Sequence, residues 1–413
     1  MSVNRVPVAS RLRGSAFVLC TALATAGGAI ALISATGITT AAGQLSRGAI
    51  YSGIYLAVTL LAGALALPFA PISAHRFGTR QTFLGLMSLM AGGWLAAGLL
   101  VSAGLPGLPV VMLTAPVIGA SGGMIAVLSP IVYRSYLASV DVSSAVAHMT
   151  IYKGIAWGLG ALAGGLALNA GAEGAGMVIA GLLKIPIVIS LARQTPSAAL
   201  PEPAAAKAPW HEVRENLKQS ATLRRAAAVG VGMALFVAPA MSLTVPIAQS
   251  LRHAPLYQGA GLLMAGFAVG ELLSPAVVHR LRVRRTPIVG SAASAVMAGV
   301  FLLILGLVSS WFSFRTELAL WAVVAVGIGA FRFASRALSQ GASAEALGHE
   351  RAAAGLASVE LCSGLAAPIG VLAWSVALGA FGASVAAVAA GAGLCLVAVI
   401  VLRAAAHRDQ SSV

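Results

Sequence analysis

Charge is scarce in this chain, and acidic charge is scarcest. Of 413 residues, 9% are Asp, Glu, Lys or Arg, and Asp and Glu together number 11. A soluble globular domain carries about 25% charged residues, so this chain cannot cover itself with polar groups in water. Cysteine is as sparse. Cys20, Cys362 and Cys395 all sit inside apolar runs and form no CxxC pair. That excludes a disulfide framework and leaves them as small packing residues. Metalloprotease chemistry is missing too: no HExxH occurs, His148 stands alone at a helix start, and the other histidines lie in loops or termini. An intramembrane enzyme needs its catalytic groups gathered at one depth, and no such constellation is visible. No cofactor or metal is implied.

What the chain has instead is apolar length. Hydrophobic residues make up 59% of it, and a bilayer span needs roughly 20 of them in a row. Apolar runs fall at 15–36, 50–72, 82–103, 109–131, 147–168, 175–192, 226–248, 257–278, 287–309, 318–338, 352–375 and 381–403. The expected fold is therefore an all-α membrane protein with twelve transmembrane helices. The first run follows Arg5, Arg11 and Arg13. It is too long for a signal-peptide core of about 7–15 residues and reads as a retained first helix. The formal charge of +15 would suggest nucleic acid in a soluble protein. Here it falls in short loops and reports orientation. Outside the spans only Arg47, Arg252 and Arg315 lie on one side, and the remaining cations lie on the other. By the positive-inside rule both termini are cytoplasmic.

The longest polar interval, 193–225, opens with a Pro/Ala stretch and continues as "WHEVRENLKQS", with Trp210, Val213 and Leu217 spaced along one helix face. This is either a short amphipathic helix on the inner membrane surface or an unstructured linker. It separates an N-terminal six-helix bundle, 1–192, from a C-terminal one, 226–413. The halves echo each other. Pro71, His75, Arg76, Arg80 and Thr82 map at one constant offset onto Pro275, His279, Arg280, Arg284 and Thr286. Both sets lie between the second and third spans of their half, as expected of a transporter built from internal repeats.

The stretch "PISAHRFGTR" resembles the loop signature of the major facilitator superfamily, approximately Gly-x-x-x-Asp-Arg-x-Gly-Arg-Arg. Arg76, Gly78 and Arg80 match it; Pro71 and His75 replace the Gly and the Asp. The resemblance covers essentially the whole chain. The region 129–165 and the "APIG" around Pro368 are further similar to the siderophore-exporter and macrolide-efflux branch, although Ala161 stands where exporters often carry Pro. It implies two six-helix repeats working by alternating access, and a monomer in a bacterial cytoplasmic membrane. The cargo would be a small, amphipathic organic solute whose export is coupled to a proton gradient. A nutrient or metabolite importer of the same fold is the alternative, and a non-transporting membrane sensor or scaffold is the alternative of another class. In such a fold Arg76 and Arg80 would latch the two halves, with His75 weakening the latch by replacing a carboxylate.

Four ionisable residues fall well inside spans: Lys153, Glu271, Arg332 and Glu360. Each costs about 2.5–3.5 kcal/mol on insertion scales and is a functional candidate by default. They lie at similar depth, and Lys153 sits roughly 9 Å in at about 1.5 Å per residue. Expected pairs are Lys153–Glu271 across the seam between halves and Arg332–Glu360 within the second half, acting as gate and coupling groups or as static pairs, with unpaired cavity residues as the remaining alternative. The only acids of the first half, Asp141 and Glu173, lie in loops, so a proton carrier would be Glu271 or Glu360. Lys184 is expected to snorkel to the headgroups. The family pocket forms from helices 1, 4, 7 and 10. That makes Ser34, Thr36, Ser121, Met124, Phe236, Met241, Ser242, Trp321 and Phe331 candidate lining residues, against the plainer reading that they only pack.

Overall fold

A computed structural model describes residues 8–43, 45–137, 142–193, 209–250, 258–284, 286–309, 314–346 and 352–411, and every element in them is a helix. In lipid a backbone must satisfy its own polar groups, and helices do so segment by segment. The first half comprises α1 (Val8–Ala41), α2 (Leu45–Ala66), α3 (Phe69–Phe77), α4 (Thr79–Ser102), α5 (Gly107–Tyr136), α6 (Val142–Asn169), α7 (Glu173–Leu182) and α8 (Ile185–Arg193). A short helix α9 (Pro209–Gln219) follows. Then come α10 (Ala221–Phe236), α11 (Ala238–Ser242), α12 (Thr244–Ser250), α13 (Gln258–Arg284), α14 (Pro287–Ser309), α15 (Phe314–Ala346) and α16 (Ala352–Ser411).

Ten helical stretches are long and apolar enough to cross a bilayer, against twelve runs in the sequence. Two local features separate the numbers. The seventh run is broken into α10, α11 and α12, with Pro239 and Pro246 among the breaks; no piece is long enough alone. The last two runs are merged in α16, where Gly382 takes φ 83° and ψ 174° and joins two helices across a kink. The apolar part of α16 is 51 residues, about 75 Å if it were one straight helix.

Packing repeats between the halves. In the first, α1 lies on α6, α2 on α5 and α4 on α7; in the second, α10 and α14 lie on α16 and α13 on α15. Glycine makes these approaches close. A methyl on Gly98 of α4 would stand 2.6 Å from the Val178 nitrogen of α7, and one on Gly391 of α16 would stand 2.6 Å from the Gly299 carbonyl of α14. Small residues let backbones touch where lipid offers no hydrophobic drive. Hydroxyls add local pins: Ser52 of α2 meets Thr39 and Thr40 of α1 at 2.8 and 2.7 Å.

The halves meet along two seams, α2 against α16 and α6 against α13, and again where α12 rests on α1 and α2. Among the described residues α5 and α15 share no extended contact. Turns 77–80 and 191–193 and the end of α5 gather at one end of the molecule, as do α9, the start of α10 and Ala404. We call this the basic end. Along the α6–α13 seam main chains meet toward the far end, where a methyl on Gly261 would sit 2.7 Å from the Ala161 carbonyl. Toward the basic end side chains fill the seam, with methyls on Gly154 and Gly158 meeting Leu272 at 3.1 Å and Ala268 at 3.4 Å.

The helix α9 does not simply lie on the lipid surface. Asn216 is fully buried and donates to the Ser358 hydroxyl of α16 at 3.3 Å. Leu217 joins the cluster of Leu223, Ala226, Ile288 and Val359. The Pro/Ala stretch 194–208 lies outside the described residues, as does the side chain of Trp210.

Candidate functional site

The charged residues between the halves are placed by three helices of the second half and one of the first. α15 carries Arg332, Arg336 and Gln340 at four-residue spacing, so they form one row along its face. α16 presents Glu360 to this row, α13 presents Glu271, and α6 presents Lys153.

Glu360 pairs with Arg336, not with Arg332. The Arg336 Nε and Nη2 donate to Glu360 Oε1 at 3.1 and 3.0 Å, and Nη2 also reaches Oε2 at 3.0 Å. Gln340 donates to Oε1 at 2.8 Å. The expected Arg332–Glu360 pair is corrected because Glu360 stands level with 336–340, a helical turn nearer the basic end than Arg332. By sequence Arg336 counts with the cytoplasmic-side cations, at the edge of its apolar run. The signal that could have found it is its position four residues after Arg332, on the same face. The pair is open to solvent, with 54% of the Arg336 side chain and 36% of Glu360 exposed.

Arg332 meets no carboxylate at ion-pair distance among the described residues. Its Nη1 donates to the thioether of Met241 on α11, and its guanidinium lies 5.3 Å from the Phe333 ring. Lys153 and Glu271 are within electrostatic reach, but no ion pair under 4 Å joins them among the described residues. Lys153 instead lies over the Tyr133 ring of α5 at 5.8 Å. Glu271 thus feels Lys153, Arg332 and Arg336 at once and is bonded to none of them.

The candidate lining residues divide. Met241 touches Arg332. Ser34 instead faces Gly176 of α7, Phe236 lies against Gly393 of α16, and Phe331 stacks on Phe301 of α14 at 5.8 Å; all three pack between helices of their own half. Thr36 and Ser242 donate back to carbonyls of their own helices, Leu32 at 2.7 Å and Ala238 at 3.1 Å. Met124 is half-buried against the cluster of Phe17, Tyr133 and Met149. Trp321 borders a small enclosed gap with Ala240, Leu263 and Phe267 within the second half. Ser121 is 1% exposed and its Oγ has no hydrogen-bond partner among the described residues. Residues 119–123 spell GxSxG, but they run mid-helix in α5, whereas that motif serves catalysis on a strand-to-helix turn.

The basic turns act locally. Gly78 takes φ 84° between α3 and α4, a left-handed angle that suits glycine. Arg80 donates to the Leu191 and Ala192 carbonyls at 2.8 and 3.0 Å, closing the C-terminus of α8 where a cation is favoured. It also neighbours Tyr136: burial pushes that phenol up, and the Arg80 charge pulls it the other way. Arg76 lies over the Phe77 ring at 5.3 Å. His75, His279 and Arg280 are exposed, and the side chain of Arg284 lies outside the described residues. Among the described residues Arg76 and Arg80 reach no acid.

Lys184 requires the clearest correction. It is 3% exposed, and its Nζ donates to the Ala24 carbonyl of α1 at 2.8 Å. It does not snorkel. The span 173–193 puts it nine residues from Arg193 and eleven from Glu173, near mid-membrane and beyond the reach of its side chain to either surface. Counting from both span ends would have shown this.

No family model and no curated protein matches the sequence. Its fold is similar to solved transporter structures. Against the D-xylose-proton symporter the TM-score is 0.72 at 11% identity, covering 94% of this chain and 96% of that one. Against the nucleoside transporter NupG it is 0.71 at 11%, covering 95% and 99%. Against the human organic anion transporter MFSD10 it is 0.68 at 15%, covering 96% and 100%. At these identities the likeness shows the fold, and the structures named are transporters, not enzymes.

Proposed function

We propose that this chain is a secondary active transporter of the major facilitator type. In this reading it moves a small, amphipathic organic solute by alternating access. Twelve crossings form two six-helix bundles, 1–192 and 226–413, joined by 193–225, with both termini cytoplasmic in a bacterial inner membrane. The observation that carries the reading is the placement of ionisable groups inside the spans. Lys153, Glu271, Arg332, Arg336 and Glu360 stand on α6, α13, α15 and α16, beside the two seams on which the halves meet. Charges inside a membrane are costly and mark pathways. Here they sit where relative movement of the halves would make and break their contacts. The solvent-open Arg336–Glu360 pair and the closure by α12 at the far end fit a state open toward the basic end.

The chain works as an exporter coupled to protons in this proposal, by the resemblance of its 129–165 region to exporters. Glu271 and Glu360 are the carboxylates available to carry the proton. The test is flux in proteoliposomes with an imposed pH gradient, over a panel of amphiphilic solutes. Transport that follows the gradient and fails in the Glu271→Gln, Glu360→Gln double variant supports the reading. Gradient-driven transport surviving in that variant removes the coupling role, uptake with the gradient reverses the direction, and no flux of any solute favours a sensor or scaffold.

A further inference from the structure

The charges between the halves do not balance, and the imbalance describes a ligand. The described groups in mutual electrostatic reach are Lys153, Arg332 and Arg336 against Glu271 and Glu360. Arg336 and Glu360 satisfy each other in a two-pronged pair, with Gln340 completing it. Glu271 is then left to face both Lys153 and Arg332, and one positive charge remains over. Lys153 and Arg332 share that surplus. Lys153 has the Tyr133 ring at 5.8 Å. Arg332, though within reach of Glu271 and Glu360, is bonded to neither and is the one whose donors form a fork. Its described partners are a thioether, Met241, and an aromatic ring, Phe333. A guanidinium presents five donors in a planar fork suited to a carboxylate or phosphate, and a thioether is a weak acceptor that cannot neutralise it.

Resting on the transporter reading above, we infer that Arg332 is a substrate-binding residue and that the substrate is a monoanion, a carboxylate joined to an apolar body. The carboxylate would displace the Met241 sulfur and take the fork. The body would lie on the Met241 and Phe333 side chains that now clothe the guanidinium. Glu271 sets the strength of the site, because it already offsets part of the same positive charge. Two commitments follow: a neutral or cationic molecule of the same body binds poorly, and removing the Glu271 charge strengthens anion binding.

The experiment heats the purified full-length protein in detergent with phenylbutyrate, phenylbutyramide or phenylbutylamine, which share one apolar body and differ in charge. Phenylbutyrate alone should raise the unfolding midpoint. The rise should vanish in Arg332→Gln and persist in part in Arg332→Lys. In Glu271→Gln the apparent affinity should tighten about tenfold, the scale of one charge at roughly 10 Å in an effective dielectric of about 20; a misfolded variant cannot produce that gain. The inference is overturned if phenylbutyrate gives no shift, if the amine or amide shifts the midpoint as much, or if the shift survives Arg332→Gln unchanged. Flux of the same three compounds in proteoliposomes is read separately. Arg332-dependent binding without flux upholds the anion site and strikes the transporter reading. Flux of the amine in preference to phenylbutyrate upholds the transporter and overturns the anion site.

Discussion

Lys184→Met should make the protein more stable. The substitution keeps the length and approximate volume of the side chain and removes its charge. What is lost is one hydrogen bond, from Nζ to the Ala24 carbonyl. Inside membranes such bonds average about 0.6 kcal/mol and reach about 1.7. The carbonyl is not orphaned, because α1 runs unbroken from Val8 to Ala41 and Ala24 keeps its place in the helical ladder. What is relieved is the burial of an amine near mid-membrane, with no carboxylate described on α1, α4 or α6 and Glu173 eleven residues away on α7. A lysine at a span centre costs about 2.5–3.5 kcal/mol on insertion scales. The difference favours the variant by about 1–3 kcal/mol. Unfolding in mixed micelles by added sodium dodecyl sulfate, followed by tryptophan fluorescence, measures it. A variant less stable than the parent by more than about 1 kcal/mol would refute the reasoning and make the Lys184–Ala24 bond a structural keystone. If stability rises as expected while flux falls, Lys184 is kept for transport despite its cost.

Glu360→Gln should cost under about 1 kcal/mol in stability, since its pair with Arg336 is solvent-open and such pairs contribute little. Transport should fall well beyond what that small loss explains, and unchanged flux counts against a role for the pair. If Lys153 and Glu271 act together across the seam, the Lys153→Ala, Glu271→Ala double variant should transport better than the two single defects predict; strict additivity of the defects in flux sinks the coupling. Gly98→Ala places a methyl 2.6 Å from the Val178 nitrogen, while Gly85→Ala meets nothing within 4 Å. Overpacking costs about 1–3 kcal/mol, so the Gly98 variant should unfold earlier than the Gly85 variant, and equal midpoints would mean that α4 and α7 can part freely.

The architecture was legible in the sequence because the bilayer imposes it. Long apolar runs can satisfy their backbones only as helices, and loop cations mark the turns. The prolines of α11 and α12 and the single positive φ of Gly382 were less legible. The prolines break one run into pieces, Gly382 turns one helix into the next with a kink in place of a polar loop, and neither alters hydropathy. Of the site, Lys153, Glu271, Arg332 and Glu360 stood out by charge alone. Which atom meets which did not, because that depends on helix phase: one turn along α15 exchanged Arg332 for Arg336 as the partner of Glu360. Ser34, Phe236 and Phe331 point the same lesson. Their helix was identified correctly, but hydropathy along a run says nothing about which of several neighbours a residue faces. Lys184 lies too far from both ends of its span for its side chain to reach a surface, which residue type alone does not reveal.

The glycine crossings within each half also limit how the molecule can deform. Where main chain rests on main chain, as at Gly98 and Gly391, no side chain can swing to take up strain. Each half is stiffened along those crossings. Whatever flexing the work requires is left to the contacts between halves and to the fractured rod of α10, α11 and α12, whose two joints lie at Val237 and Leu243. Stiffness, in this protein, comes from the residue usually associated with its opposite.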